Sequence, residues 1–254
     1  MRRELLSEGE PPATAVERPK AASPFFFTCD HASARIPRKL GRLGLSDSDL
    51  SRHIAWDIGA ASVAGMLSAH FDATLMLQNY SRLVIDCNRP VEAPSSIPTV
   101  SEDTAIPGNQ APDPAEVAAR RREIFDPYHE AIVSELDWRQ QAGRHTVLVS
   151  VHSFTPHYQG ETRPWDLGIL FNRDRRLGDR LITLMDEDND IVIGENQPYS
   201  IDDETDYTIP VHGEMRGLLH IMIEMRQDHI AEAAGQRLWF EKLAKALDRV
   251  QDGL

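Results

Sequence analysis

Four apolar runs divide the chain, and each ends in polar, reactive groups. They are "FFFTCDH" from Phe25, "RLVIDCNR" from Arg82, "HTVLVSVHSF" from His145 and "LLHIMIEMRQD" from Leu218. Near-continuous apolar runs of this kind are the pattern of strands buried on both faces. Helical spacing fills the intervals. "SDSDLSRHIAWDIGAASVAGMLSAHF" opens with a capping-type Ser46 or Ser48 and continues with small and apolar residues at helical period. "DPAEVAARRREIFDPYHEAIVSELDWRQQAG" predicts a long amphipathic helix ending at Gly143, kinked or split by Pro127. "RDRRLGDRLITLMDE" and "AEAAGQRLWFEKLAKALDRVQ" predict two more.

Strand and helix alternate, which predicts an α/β fold. Its expected form is three layers, α/β/α, around a central mixed, mostly parallel sheet. Residues 24–254 read as one domain, without internal repeat or splitting linker. Residues 1–23, charged and rich in Pro, Ala and Glu, read as a loosely held tail or arm. Three proline- and acid-bearing stretches, around 90–115, 154–166 and 194–217, are too long for idle connections and read as functional loops.

Composition narrows the partners. The chain has 254 residues, 41% of them hydrophobic, enough for a sizeable core without staples. Its formal charge of −13 repels nucleic-acid phosphates and anionic lipids, so neither nucleic acid nor membrane is expected. A small anionic substrate remains compatible where arginines gather locally. Cys29 and Cys87 allow at most one bridge, and a reduced, cytoplasmic chain is the simpler expectation. No apolar run approaches the roughly 20 residues that span a bilayer, and no signal-peptide core is seen near the start.

Ligands in open α/β sheets sit beyond the carboxyl ends of the strands. Here those ends carry His31, then Asn88 and Arg89, then His152, then Glu224 and Arg226. Two histidines from separate strand ends can converge on zinc, whose catalytic sites use three protein ligands. For the third ligand Asp57 ranks first, then His53, then Cys29. His53 and Asp57 are four apart and would share a helix face; Asp57 is equally readable as a capping acid at a helix start. Cys29 would face the same side as His31 in an extended strand. Glu224, emerging from an apolar strand, suits a general base with a raised pKa. Arg226, two residues on, would pair with it or bind substrate. Arg82, Asn88 and Arg89 suit carboxylate recognition, or a structural Asp–Arg network built on Asp86. Asp30 and Ser33 read as orienting neighbours. His157, Arg163, Trp165, Tyr199 and His212 lie in the long loops, where spacing assigns no role. A serine hydrolase is disfavoured, because no G-x-S-x-G elbow is present.

Taken together, "DHASARIP", "HIAWDIGA", "SRLVIDCNRP", "SVHSFTP", "RPWDLGILFN", "GENQPYS" and "IEMRQDHI" resemble the N-formylglutamate amidohydrolase family. They run in order from Phe25 to about Ile230. The resemblance implies a fold similar to zinc carboxypeptidases and aspartoacylase. It also implies a metal-dependent amidohydrolase splitting N-formyl-glutamate into formate and glutamate, as in bacterial histidine degradation. It casts His31 and His152 as zinc ligands, Glu224 as the catalytic glutamate, and Asn88 with Arg89 as the holders of a substrate carboxylate. Arg82, by position, would stabilise the oxyanion. One departure stands out: the peptidase motif has Glu three residues after its first His, whereas this chain has Ala34. Asp57 would have to supply the missing ligand.

Overall fold

The computed structural model describes residues 4–187 and 190–254. Seven strands form one sheet among them: β1 (Thr14–Glu17), β2 (Phe25–Cys29), β3 (Thr74–Gln78), β6 (Val147–Phe154), β9 (Leu167–Leu170), β10 (Ile193–Glu195) and β11 (Leu219–Arg226). Two small hairpins lie outside it, β4 (Val100–Ser101) with β5 (Thr104–Ala105), and β7 (His157–Tyr158) with β8 (Glu161–Thr162). The sheet order is β1-β3-β2-β6-β11-β9-β10. Its centre, β3-β2-β6-β11, is parallel. β1 pairs antiparallel with β3, and β9 antiparallel with β11.

The continuous apolar runs are explained by burial on both faces. β2 and β6 are buried along their full length. Phe25, Phe27, Val149, Val151, Ile221 and Ile223 pack under helices α2 (Ala60–Phe71), α5 (Arg176–Asp186) and α7 (Ala233–Gln251). The alternate residues Phe26, Leu148 and Met222 pack against Tyr128, Ile132 and Leu136 of α4 (Asp126–Gln141). Each such side chain contributes about 1.5–3 kcal/mol by leaving water. Short helices α1 (Asp47–Leu50), α3 (Pro114–Arg120) and α6 (Gln227–Ile230) complete the set. The α/β class and the three layers are as the sequence predicts.

Four local expectations are corrected. First, "RLVIDCNR" is not a strand; the strand is "TLMLQ", ending at Gln78. The later run is apolar because Leu83, Val84, Ile85 and Cys87 are all buried. Its backbone, however, turns on Ser81, whose hydroxyl accepts from Leu83 N and whose carbonyl accepts from Val84 N. Second, the stretch from Ser46 is no single helix. α1 stops after one turn and α2 begins only at Ala60, so His53 and Asp57 lie in the turns between them. Gly59 permits this with φ 81°, where a Cβ would meet the Ile230 carbonyl at 2.1 Å. Third, residues 4–23 are not a loose arm. Leu5 is buried, Leu5 N and Leu6 N donate to Glu123, and β1 joins the sheet. Fourth, the sheet extends beyond the four apolar runs: β9 and β10 add an edge, and β10 reaches into the stretch from 194 expected as loop. The helix split expected at Pro127 takes the form of a π-helical segment, Arg121–Phe125, running into α4.

Candidate active site and metal centre

The parallel centre of the sheet sets the geometry. Glu224 on β11 is register-paired with His152 on β6. Asp30 and His31 follow the end of β2 on the other side of β6. A third side chain arrives from the turn before α2: Asp57 N donates to the His31 carbonyl at 2.9 Å. The result is a buried trio, His31, Asp57 and His152, whose ligating atoms lie within 4.8 Å of one another.

The ring orientations are specific. His152 Nδ1 stands 2.8 Å from Asp57 Oδ2, and His31 Nδ1 stands 3.3 Å from the same oxygen. The opposite nitrogens each meet a separate buried carboxylate. His31 Nε2 is 2.7 Å from Asp86 Oδ1, and His152 Nε2 is 3.2 Å from Asp30 Oδ2. Asp30 is itself fixed by the Tyr128 hydroxyl at 2.6 Å and by Ser150 Oγ at 3.3 Å. Asp86 and Asp30 only accept, which favours a proton on each Nε2; Asp57 Oδ2 likewise only accepts, so each Nδ1 has its lone pair free to ligate only with a cation seated between it and Asp57. Arg82 Nη1, 3.3 Å from His31 Nδ1, fits that tautomer, since it can only donate. Paired outer carboxylates are how proteins aim histidines at a metal.

Charge tells the same story. Asp30, Asp57, Asp86 and Glu224 are buried carboxylates. The guanidinium groups beside them are Arg82, 2.7 Å from Asp86, and Arg89, 3.9 Å from it. Burial alone would raise Asp57, yet the charges and hydrogen bonds of His31 and His152 drive it far below the usual carboxylate range. Burial likewise opposes a charged His152, but its bonds to Asp30 and Asp57 push it well above the ordinary imidazole value. A cluster that draws this much positive charge fits a divalent cation among the trio.

Glu224 is the odd acid out. Burial raises it to about 7, against the pull of His152. Its Oε2 is buried with no hydrogen-bond partner among the described residues. Opposite it on β9 stands Gly168, where a Cβ would lie 3.1 Å from the Glu224 Cβ and 2.3 Å from the Gln197 carbonyl. The trio, Glu224, Arg82 and Arg89 line one cavity of about 550 Å³.

The remaining sequence candidates divide. Asn88 reaches the cavity, but its amide also braces the far loop: it donates to Asp206 at 3.1 Å and accepts from Tyr207 N and Thr208 N. Arg89 binds Asp206 at 3.1 Å and the Thr205 carbonyl. Arg226 is corrected. It does not line the cavity and does not pair with Glu224; it pairs with Asp228 at 2.9 Å and Asp166 at 3.2 Å. Cys29 lies in the apolar layer with Phe25 and Phe27, outside the trio. His53 lines the cavity but faces Glu102 at 3.3 Å rather than the trio. Ser33 accepts from Arg35 N and touches none of these groups. Glu102 and Asp206 line the cavity without having been singled out for it, and so does Tyr199, named only as a long-loop residue; each arrives on a loop, where no period announces it.

A family model, N-formylglutamate amidohydrolase, matches residues 23–231. The chain belongs to the N-formylglutamate amidohydrolase family. It is therefore a hydrolase acting on amide bonds. A solved gene product of Agrobacterium tumefaciens is 42% identical, with a TM-score of 0.91, over 98% of this chain and 100% of that one. The N-formylglutamate amidohydrolase of Ralstonia eutropha JMP134 shares the fold at 16% identity and a TM-score of 0.69, over 94% of this chain and 97% of that one. No curated protein matches the chain. Among the described residues no helix is long and apolar enough to cross a membrane.

Outside the candidate site lies a second histidine pair, His129 and His212, both buried. His129 Nε2 is 2.9 Å from the Cys87 carbonyl, which only accepts, so that nitrogen carries the proton. His129 Nδ1 must then accept from His212 Nε2 at 2.9 Å, leaving His212 Nδ1 buried without a partner. Burial holds His129 down to about 4 and His212 down to about 3. Unfolded, both rings return to about 6.5. Below that pH the unfolded chain takes up protons that the folded one refuses. The pair's contribution to stability is therefore expected to fall as pH drops from about 6.5 to about 4, by up to about 1.4 kcal/mol per pH unit per ring, opposed in part by Glu224, which in the fold takes up its proton near 7. Denaturant unfolding at several pH values measures the slope. His212→Gln, which keeps an amide donor for His129, should make it shallower; an unchanged slope would acquit the pair.

Proposed function

We propose that this chain is a metal-dependent amidohydrolase that removes the formyl group from an N-formyl amino acid of glutamate type. The observation that carries the reading is the convergence of two Nδ1 atoms and one carboxylate oxygen beside Glu224, whose pKa is raised to about 7. His31, Asp57 and His152 would hold the ion, with zinc the first choice for a set of two imidazoles and one carboxylate. When bound, the ion supplies a Lewis acid that makes water a nucleophile near neutral pH and polarises the acyl oxygen.

The chain's own residues do the rest. Glu224 takes a proton from the attacking water at a carboxylate oxygen held in an apolar wall, then hands it to the departing nitrogen. Its pKa near 7 keeps both transfers close to balance. Arg82, fixed by Asp86 and 3.7 Å from Asp57, places a permanent donor beside the reacting centre and stabilises the oxyanion. Arg89 and Asn88 contribute donors at the substrate end, held there by Asp206.

Metal content, together with formate release from N-formyl-glutamate against N-acetyl-glutamate and other N-formyl amino acids, tests the reading. Zinc near one per chain with fastest formate release from N-formyl-glutamate supports it. Full metal with no formate overturns the substrate. A second reading, another N-acyl amino acid or a peptide, draws on cavity size. About 550 Å³ falls in the range of about 300–1,000 Å³ that takes drug-sized ligands.

The outer carboxylates give a further expectation. Asp30→Asn can donate to His152 Nε2, which favours the tautomer with its proton on Nδ1, facing the ion. Zinc affinity should fall about 10- to 100-fold, measured by competition with a chelating dye. Unchanged affinity would show that Asp30 does not set the tautomer.

A further inference from the structure

Three arginines are buried among the described residues: Arg120, Arg139 and Arg163. Arg120 lies 2.7 Å from Glu116, and Arg139 lies 3.0 Å from Glu135. Arg163 is the exception. No carboxylate among the described residues comes within ion-pair distance of it, although it is only 8% exposed. A buried guanidinium without an anion is costly, and natural cores avoid it.

Its surroundings say where the anion belongs. Arg163 follows the β7–β8 hairpin and is clamped between two phenol rings, each centroid 4.6 Å from its central carbon: Tyr158 and Tyr199. The rings fix the plane of the guanidinium and offset part of its desolvation. Nη1 donates to the Tyr199 hydroxyl at 2.8 Å. That hydroxyl thereby accepts, so its own proton is still available to donate. Tyr158 and Tyr199 both line the cavity that holds Glu224 and the His–Asp–His trio; Arg163 stands directly behind them and, unlike Arg226, is joined to that lining, through its bond to Tyr199. A rigid planar cation with spare N–H groups, next to a phenol with a spare proton, is a two-point receptor for a carboxylate.

We propose that Arg163, with Tyr199, binds a carboxylate of the substrate. The assignment rests on the amidohydrolase reading of the same cavity. It also replaces Arg226, whose guanidinium is already held by Asp166 and Asp228.

The test compares N-formyl-glutamate with its two mono-amides, in which one or the other carboxylate is neutral. In the zinc-loaded protein, Arg163→Met should raise KM for N-formyl-glutamate roughly 10- to 100-fold with kcat little changed. It should also erase the preference over one of the amides while leaving the other preference intact. Arg163→Lys, keeping charge but losing the fork, should recover only part of the loss. Tyr199→Phe should cost several-fold with the same selectivity. An equal loss on the acid and both amides, or no loss, overturns the proposal. So does a lowered melting temperature without a change in selectivity, since that is what a structural arginine would give. If the wild type hydrolyses none of these compounds, the substrate reading fails by itself. Calorimetric titration of glutarate into wild type and Arg163→Met then still decides: binding at least tenfold tighter in the wild type supports the receptor, and equal or absent binding overturns it.

Discussion

Replacing Glu224 by glutamine is expected to abolish formate release, by about 100- to 10,000-fold, while zinc stays bound. The amide fills the same space but cannot take a proton. Nothing beside it can substitute: Asp57 is driven far below the usual range by His31 and His152, and Asp86 is committed to His31 and Arg82. Metal should be retained because Glu224 stands outside the trio of ligating atoms. Stability should hold or rise, since the change removes a buried carboxylate whose Oε2 has no partner among the described residues. Proteins commonly keep such destabilising groups where chemistry needs them. Three measurements together are diagnostic: turnover, zinc per chain and melting temperature. Turnover within tenfold of wild type, with zinc in place, would mean that another group moves the proton. Loss of zinc would mean that Glu224 is a ligand instead.

How far the sequence could foretell this site depends on what kind of backbone carries each residue. His31, His152 and Glu224 were legible because a parallel strand buried on both faces leaves a long apolar run, and ligand chemistry collects just beyond it. "RLVIDCNR" has that signature and is no strand. A turn whose side chains are all buried has the same composition as a buried strand, and only the hydrogen bonds of Ser81 distinguish them. Asp57 ranks first among the third-ligand candidates, the more so with Ala34 where the peptidases have Glu, and it does join the trio. The helix face once expected to carry it with His53 does not exist; a turn ending at Gly59 delivers it instead. Arg226 misled because alternation along β11 says nothing of acids such as Asp166, which arrives just before β9. Arg163 was unreadable for the converse reason. Its clamp joins Tyr158 and Tyr199, from loops 41 positions apart in the sequence, and its significance is the lack of a carboxylate partner among the described residues.

Substituting alanine for Asp57 is expected to cost metal binding more than any other single change outside the two histidines. One oxygen, Asp57 Oδ2, is the point on which both Nδ1 atoms converge, and it also accepts from Ser153 N at 3.3 Å. Removing it leaves two imidazoles, with ring centroids 5.0 Å apart, and no anionic ligand between them. Loss of an outer partner alone costs about 10- to 100-fold in affinity, so loss of a ligand should exceed 100-fold. Thermal unfolding with and without zinc reads this directly. A ligand at 100 times its Kd stabilises the fold by about 2.7 kcal/mol; weakened 100-fold at the same concentration it gives only about 0.4 kcal/mol. Zinc-induced stabilisation should therefore nearly vanish in Asp57→Ala. His53→Ala and Cys29→Ala are the controls, because neither side chain belongs to the trio: His53 faces Glu102, and Cys29 faces the core. Both should keep the full zinc response, even though Cys29→Ala lowers the melting temperature by thinning a packed layer. If zinc still stabilised Asp57→Ala as it does wild type, and His53→Ala had lost the effect, the ion would be held on the other side of the cavity, against Glu102.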